Sequence, residues 1–130
     1  MSAQNVEVVR SIYSAWRENR SARGYMHPEI EYVNPPDAVE PGTRSGADSF
    51  QRIRDAYDDV LIEPDELIDA GDDVVVIATV NATGRASGVP IEWHHGYIWT
   101  IKQGKAVRFR WFNDPREALE AVRPHDQPQT

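Results

Sequence analysis

A chain of 130 residues with 40% hydrophobic and 27% charged side chains has the size and balance of one globular domain with a core of its own. Its formal charge of −7 argues against nucleic acid or an anionic membrane as a partner, and the lack of cysteine excludes disulfides, a thiolate nucleophile and a cysteine zinc site. "MSAQNVEVVR" has no basic flank followed by an apolar run, and no later stretch approaches ~18 apolar residues, so a soluble cytoplasmic domain is expected.

Over residues 4–19, Val6, Val9, Ile12, Tyr13 and Trp16 recur at spacings of three and four, which predicts a helix with one apolar stripe; Ser2 and Asn5 are candidate caps. A short helical turn is expected around residues 20–26. "HPEIEYVN" alternates and reads as a first strand. "PPDAVEPGTRSG" is rich in Pro and Gly and is expected to be an irregular loop. Phe50, Ile53, Tyr57 and Val60 or Leu61 predict a second helix, with Asp48 near its start. The period then changes. "VLIEPDELIDAG" reads as a strand bent at Pro64, and "DDVVVIATVNATG" as a strongly β-branched strand. "IEWHHGYIWTI" and "AVRFRWFND" follow as two more strands, joined by a turn at "KQGK". A last short helix begins after Asp114, with Pro115 at its first position and Glu117 in place for a capping box. The whole is expected to be one domain over residues 1–130, with a core from about 4 to 122 and a frayed tail from 123 to 130. The fold class is α+β, with helices gathered on one face of a curved antiparallel sheet.

Within "IEWHHGYIWTI" two histidines are adjacent among aromatic residues. In a strand, neighbours point to opposite faces, so Trp93, His95, Tyr97 and Trp99 share one face while Glu92, His94 and Ile98 share the other. The two imidazoles therefore cannot hold one metal ion. His27 and His125 have no partners at ligand spacing either, so no metal site is expected.

"NVEVVRSIYSAW", "MHPEIEYVNPPDAVEPGTRSGADSF", "IDAGDDVVVIATVNATGRASG" and "GYIWTIKQGKAVRFRWFNDPREALEAV" together resemble, over about nine tenths of the chain, the SnoaL-like polyketide cyclase group of the nuclear transport factor two and ketosteroid isomerase superfamily. The resemblance implies a cone-shaped sheet covered by N-terminal helices and enclosing one deep, mostly apolar pocket. It does not settle function, because the superfamily holds isomerases, cyclases, epoxide hydrolases, dehydratases and non-catalytic proteins. The aspartate base of the ketosteroid isomerases is replaced here by Asn34, and Tyr97 stands where a protonated aspartate donates to an oxyanion. Tyr32 and Asn34 match the water-holding Tyr-x-Asn of limonene epoxide hydrolases, but Thr79, Asn81 and Trp111 stand in place of the rest of that catalytic set. A cyclase aspartate would also fall near Trp111 and is absent.

The same resemblance turns Trp93, His95 and Tyr97 inward and His94 outward. It makes His95 the candidate acid/base, Tyr97 a hydrogen-bond donor, and Tyr32 with Asn34 the groups that position substrate or water. Each also has a purely structural reading: a bonded wall imidazole, packing phenols, and an Asn34 that caps the turn before Pro35. Trp16, Met26, Phe50, Tyr57, Trp93, Phe109 and Trp111 are expected as pocket wall, with Thr79 and Asn81 entering the pocket. Arg108 and Arg110 fall on the outer side, where two copies are expected to meet as a homodimer. A small hydrophobic, oxygen-bearing molecule is the expected partner, without a cofactor. Two functions stay open: a cofactor-independent isomerase, cyclase or hydrolase, and a non-catalytic binding module of the same fold.

Overall fold

The computed structural model describes residues 2–126. Helix α1 (Ser2–Arg17) leads through a 3₁₀ turn (Arg23–Tyr25) into strand β1 (Met26–Asn34). A short strand β2 (Gly42–Ser45), a 3₁₀ turn (Ala47–Phe50) and helix α2 (Gln51–Ala56) follow. Four long strands come next, β3 (Tyr57–Ala70), β4 (Asp73–Gly84), β5 (Pro90–Lys102) and β6 (Lys105–Phe112), and then helix α3 (Pro115–Asp126). The strands form one sheet in the order β2-β1-β6-β5-β4-β3.

Strands β3 to β6 form the expected meander, but the sheet is mixed, because β1 runs parallel to β6. The β5–β6 hairpin turns on Gln103 and Gly104, both at positive φ (52° and 78°), the backbone that a two-residue turn matched to strand twist requires. Register shifts in β3 on either side of residues 61–64, and between Thr100 and Ile101 in β5, bend the long strands.

One face of the sheet packs on α1. Val9, Ile12 and Tyr13 of the helical stripe meet Val74, Val76, Ala78 and Val80 of β4 and Trp99 of β5, all buried. Burial of each Val or Ile in this layer is worth roughly 1.5–3 kcal/mol, which holds the helix to the sheet. The opposite face is covered in part by α3, where Ala118 and Val122 pack against Val75 and Ile98. Gly96 permits that approach, because a Cβ there would lie 2.7 Å from Ala118 Cβ and 2.9 Å from Pro115 Cα. Asp114 caps α3 by accepting the Arg116 backbone N–H at 2.9 Å. The expected tail, residues 123–130, falls at the end of this helix and on residues 127–130, which lie outside the described residues.

Further expectations about individual elements need correction. The loop after Asn34 contains β2, a fully exposed four-residue strand whose partners Glu31–Asn34 lie on the neighbouring strand, so its own residues carry no apolar signal. The second helix ends at Ala56, and Tyr57, Val60 and Leu61 belong to β3, which pairs with β4 from Tyr57 onward. Asn5 lies inside α1 and donates to the Gly71 carbonyl in the β3–β4 turn instead of capping. Ile98, expected on an open outer face, is fully buried under α3.

Candidate functional site

The inner face of β5 carries Trp93, His95, Tyr97 and Trp99 in sequence, with His94 on the other side, as the alternation requires. Register places Tyr97 opposite Trp111 of β6 and Tyr32 of β1 opposite Phe109. His95 faces Ala78 across β4, a small neighbour that leaves room for the imidazole. Its Nδ1 lies 3.2 Å from Tyr97 Oη, so the two share a hydrogen bond. The imidazole sits between two indoles, with ring centres 6.1 Å from Trp93 and 5.3 Å from Trp111. Tyr57 packs edge-on against Trp93 at 5.1 Å and closes that side.

Deeper in, Phe109 touches Tyr97 and Tyr32, and Phe50 packs on Tyr32, Phe109, Trp99 and Trp16. Trp99 Nε1 donates to Tyr13 Oη at 3.0 Å, fully buried. Three phenols, Tyr13, Tyr32 and Tyr97, thus converge on one interior. Burial raises all three: Tyr32 is pushed up to about 12, tempered by the Arg52 guanidinium, and Tyr13 and Tyr97 are held well above the ordinary phenol range. They are neutral donors at any physiological pH.

Burial under the indoles also lowers His95, to about 4, and the neighbouring His94 adds to the effect. His95 is therefore neutral at pH 7. The folded pKa lies below the unfolded 6.5, so the unfolded chain takes up a proton that the folded chain refuses. Stability from this group is complete above about pH 6.5 and is lost as pH falls toward 4. After discount for its partial exposure the contribution is on the order of 2 kcal/mol. Urea unfolding of wild type and His95→Gln should show their stability difference shift by that amount in favour of the variant between pH 7 and pH 4; a constant difference would place the imidazole in water.

Asn34 is engaged at both ends of its amide. Its Oδ1 accepts the Trp111 indole N–H at 2.7 Å, and its Nδ2 donates to the Gly42 carbonyl at 3.0 Å. The side chain ties β1 to β6 and β2, which supports its structural reading over a water-holding one.

Thr79 and Asn81 do not enter the site. They lie on the outer face of β4, where Thr79 Oγ1 donates to Asp65 Oδ2 at 2.6 Å and stands 3.4 Å from His94 Nδ1. His94 Nε2 in turn meets Glu92 Oε2 at 2.9 Å. Both share their face of β4 with Val75 and Ile77, and that face points outward rather than into the site. Arg108 pairs with Glu31 at 2.9 Å and Arg110 approaches Asp73 at 3.8 Å, also outside. Trp16, Met26 and Phe50 line a cavity near the end of α1 to which His95 and Tyr97 do not contribute. From α1, Tyr13 reaches the interior where Tyr32 and Tyr97 lie, and its helical spacing in the sequence marks it only as core. Among the described residues no cluster of His, Asp and Glu could hold a metal ion, and no helix is long and apolar enough to cross a membrane.

The SnoaL-like domain profile matches residues 9–109. A search of curated proteins gives no match. Among solved structures, a nuclear transport factor two-like protein from Burkholderia thailandensis is 27% identical over 92% of this chain and 97% of its own, with a TM-score of 0.73. TerC, co-crystallised with polyporic acid, is 25% identical over 92% and 97%, with a TM-score of 0.72. A candidate SnoaL-like polyketide cyclase from a Jannaschia species shares the fold at 17% identity over 94% and 93%, with a TM-score of 0.72.

Proposed function

The chain belongs to the SnoaL-like domain family, and from that membership we propose that it catalyses a cofactor-independent proton shift in a small, apolar, oxygen-bearing molecule. The observation that carries the reading is the His95–Tyr97 hydrogen bond on the inner face of the sheet, framed by Trp93 and Trp111. In the productive tautomer Nδ1–H donates to Tyr97 Oη, which leaves Nε2 as base and the Tyr97 hydroxyl free to donate to substrate. Nε2 takes a proton from carbon beside a carbonyl, the electron pair moves to the carbonyl oxygen, and Tyr97 stabilises the oxyanion. Return of the proton to another carbon completes an isomerisation; in a ring closure the enolate carbon instead bonds to a second carbonyl carbon of the same molecule, and the proton goes to the new alkoxide oxygen. A neutral imidazole with a pKa of about 4 has the basicity of the carboxylate bases that do such chemistry in apolar sites. Occupied Asn34 weighs against addition of water. TerC's co-crystallisation with polyporic acid supports a small-molecule ligand for a chain of this fold.

The second reading, a non-catalytic binding module, is favoured by the absence among the described residues of a carboxylate bonded to His95 or Tyr97. The two separate on small molecules that co-purify with the protein, identified by mass spectrometry and returned to it in buffer with chelator and no cofactor. Conversion of the molecule, with solvent deuterium entering beside its carbonyl, is the expected result. Saturable binding and a raised melting temperature without conversion or exchange would establish the module instead.

We also propose that the protein is a homodimer, joined where Arg108 and Arg110 lie outside the cover of α3. On that face Arg108 pairs with Glu31 and Arg110 with Asp73, and these partly exposed pairs are the charges a second copy would meet at the rim of the contact. Sedimentation at tens of micromolar should give twice the chain mass, and Arg110→Glu should shift it toward monomer. A wild-type monomer would remove the proposal.

A further inference from the structure

A cavity of about 380 Å³ opens between the end of α1, the 3₁₀ turn before β1 and the Ala47–Phe50 corner. Phe50 lines it and packs behind against Tyr32, Trp99 and Phe109, so an aromatic wall stands between this cavity and His95. Its floor is apolar: Trp16, Met26 and Phe50. Its rim is cationic, with Arg20, Arg23 and Arg54.

Two of those charges are already answered. Arg20 Nε meets Glu18 Oε1 at 2.8 Å, and Arg23 pairs with Asp48. Arg54 is half-buried, its guanidinium carbon 5.8 Å from the centre of the Trp16 ring, and has no carboxylate partner among the described residues. A partly desolvated cation without a counter-ion favours an anion beside it, and a guanidinium grips a carboxylate with two parallel hydrogen bonds. One unanswered positive charge over an aromatic floor defines a ligand with one negative charge and a flat apolar body. The volume is at the lower end of the range for small-molecule sites.

We propose that this cavity binds an aromatic monocarboxylate, with the carboxylate on Arg54 and the ring against Trp16 and Phe50, separately from whatever occupies the His95 site. Because it does not use His95, the proposal stands or falls apart from the catalytic reading.

The test titrates naphthoate, and naphthamide as its neutral counterpart, into the full chain while tryptophan fluorescence and backbone amide shifts are followed. Naphthoate should saturate, bind at least about tenfold more tightly than the amide, weaken with salt, and move the amides of residues 16–26 and 47–54. Arg54→Gln should abolish the preference for the acid while leaving amide binding as it was, and Arg54→Lys should keep part of it. His95→Gln should leave naphthoate binding unchanged. Equal affinity for the two probes, absence of saturation, an acid preference that survives Arg54→Gln, or its loss in His95→Gln would each overturn the proposal. If Arg54→Gln also loses amide binding, Arg54→Lys decides: a residual acid preference supports the site, and none refutes it.

Discussion

Trp99→Ala should lower the stability of the fold by about 3–5 kcal/mol, the largest loss expected from any single truncation in this chain. Trp99 is fully buried, stacks on Phe50 at 5.5 Å, and meets Tyr13, Trp16 and Phe109 at 5.9, 6.1 and 4.6 Å. Removing the indole opens a void that four flat rings cannot close by small shifts. It also takes the donor from Tyr13 Oη and leaves a buried hydroxyl short of a partner. Trp99→Phe separates the two contributions, since it keeps most of the ring but not the donor, and should cost about 1–3 kcal/mol. Urea unfolding measures both. A loss below about 1 kcal/mol for Trp99→Ala would mean that the rings are loosely stacked and do not fix Phe109 against Tyr97, which would remove the rigid floor on which the site depends.

Much of this arrangement is legible from spacing alone, where only one face of an element is buried. The stripe Val9, Ile12, Tyr13 and Trp16 marks α1 because its other side is polar. The alternation in "IEWHHGYIWTI" separates His94 from His95 without any knowledge of the fold. Strand β4 defeats the same logic, because α1 covers Val74, Val76 and Val80 while α3 covers Val75, so both faces are apolar and the pattern cannot say which one is inner. That is why Thr79 and Asn81 were expected inside and lie outside.

Other misses come from contacts between distant parts of the chain. Asn34 is satisfied by Trp111, 77 residues away, and by Gly42 in a strand that exists only as an edge to β1. The end of α2 is set by the pairing of Tyr57 with Gly84, which overrides a helical stripe that continues on paper to Leu61. His95's lowered pKa is likewise illegible, since it arises from burial beside Trp93 and Trp111, and Trp111 belongs to another strand.

His95→Gln compared with His94→Gln tests the central claim, that the inner imidazole and Tyr97 carry the chemistry. Glutamine keeps a polar side chain of similar reach and removes the base. With the substrate found by co-purification, kcat of His95→Gln should fall by about a hundredfold or more while binding weakens by no more than about one hydrogen bond, roughly 1 kcal/mol. The acid limb of the wild-type rate profile, set by protonation of His95 near pH 4, should vanish in the variant. His94→Gln removes an imidazole that meets Glu92 and Thr79 on the outer face, and should leave both kcat and affinity within about twofold. Full turnover in His95→Gln with turnover abolished in His94→Gln would show that the outer face bears the chemistry, and would contradict the site described above.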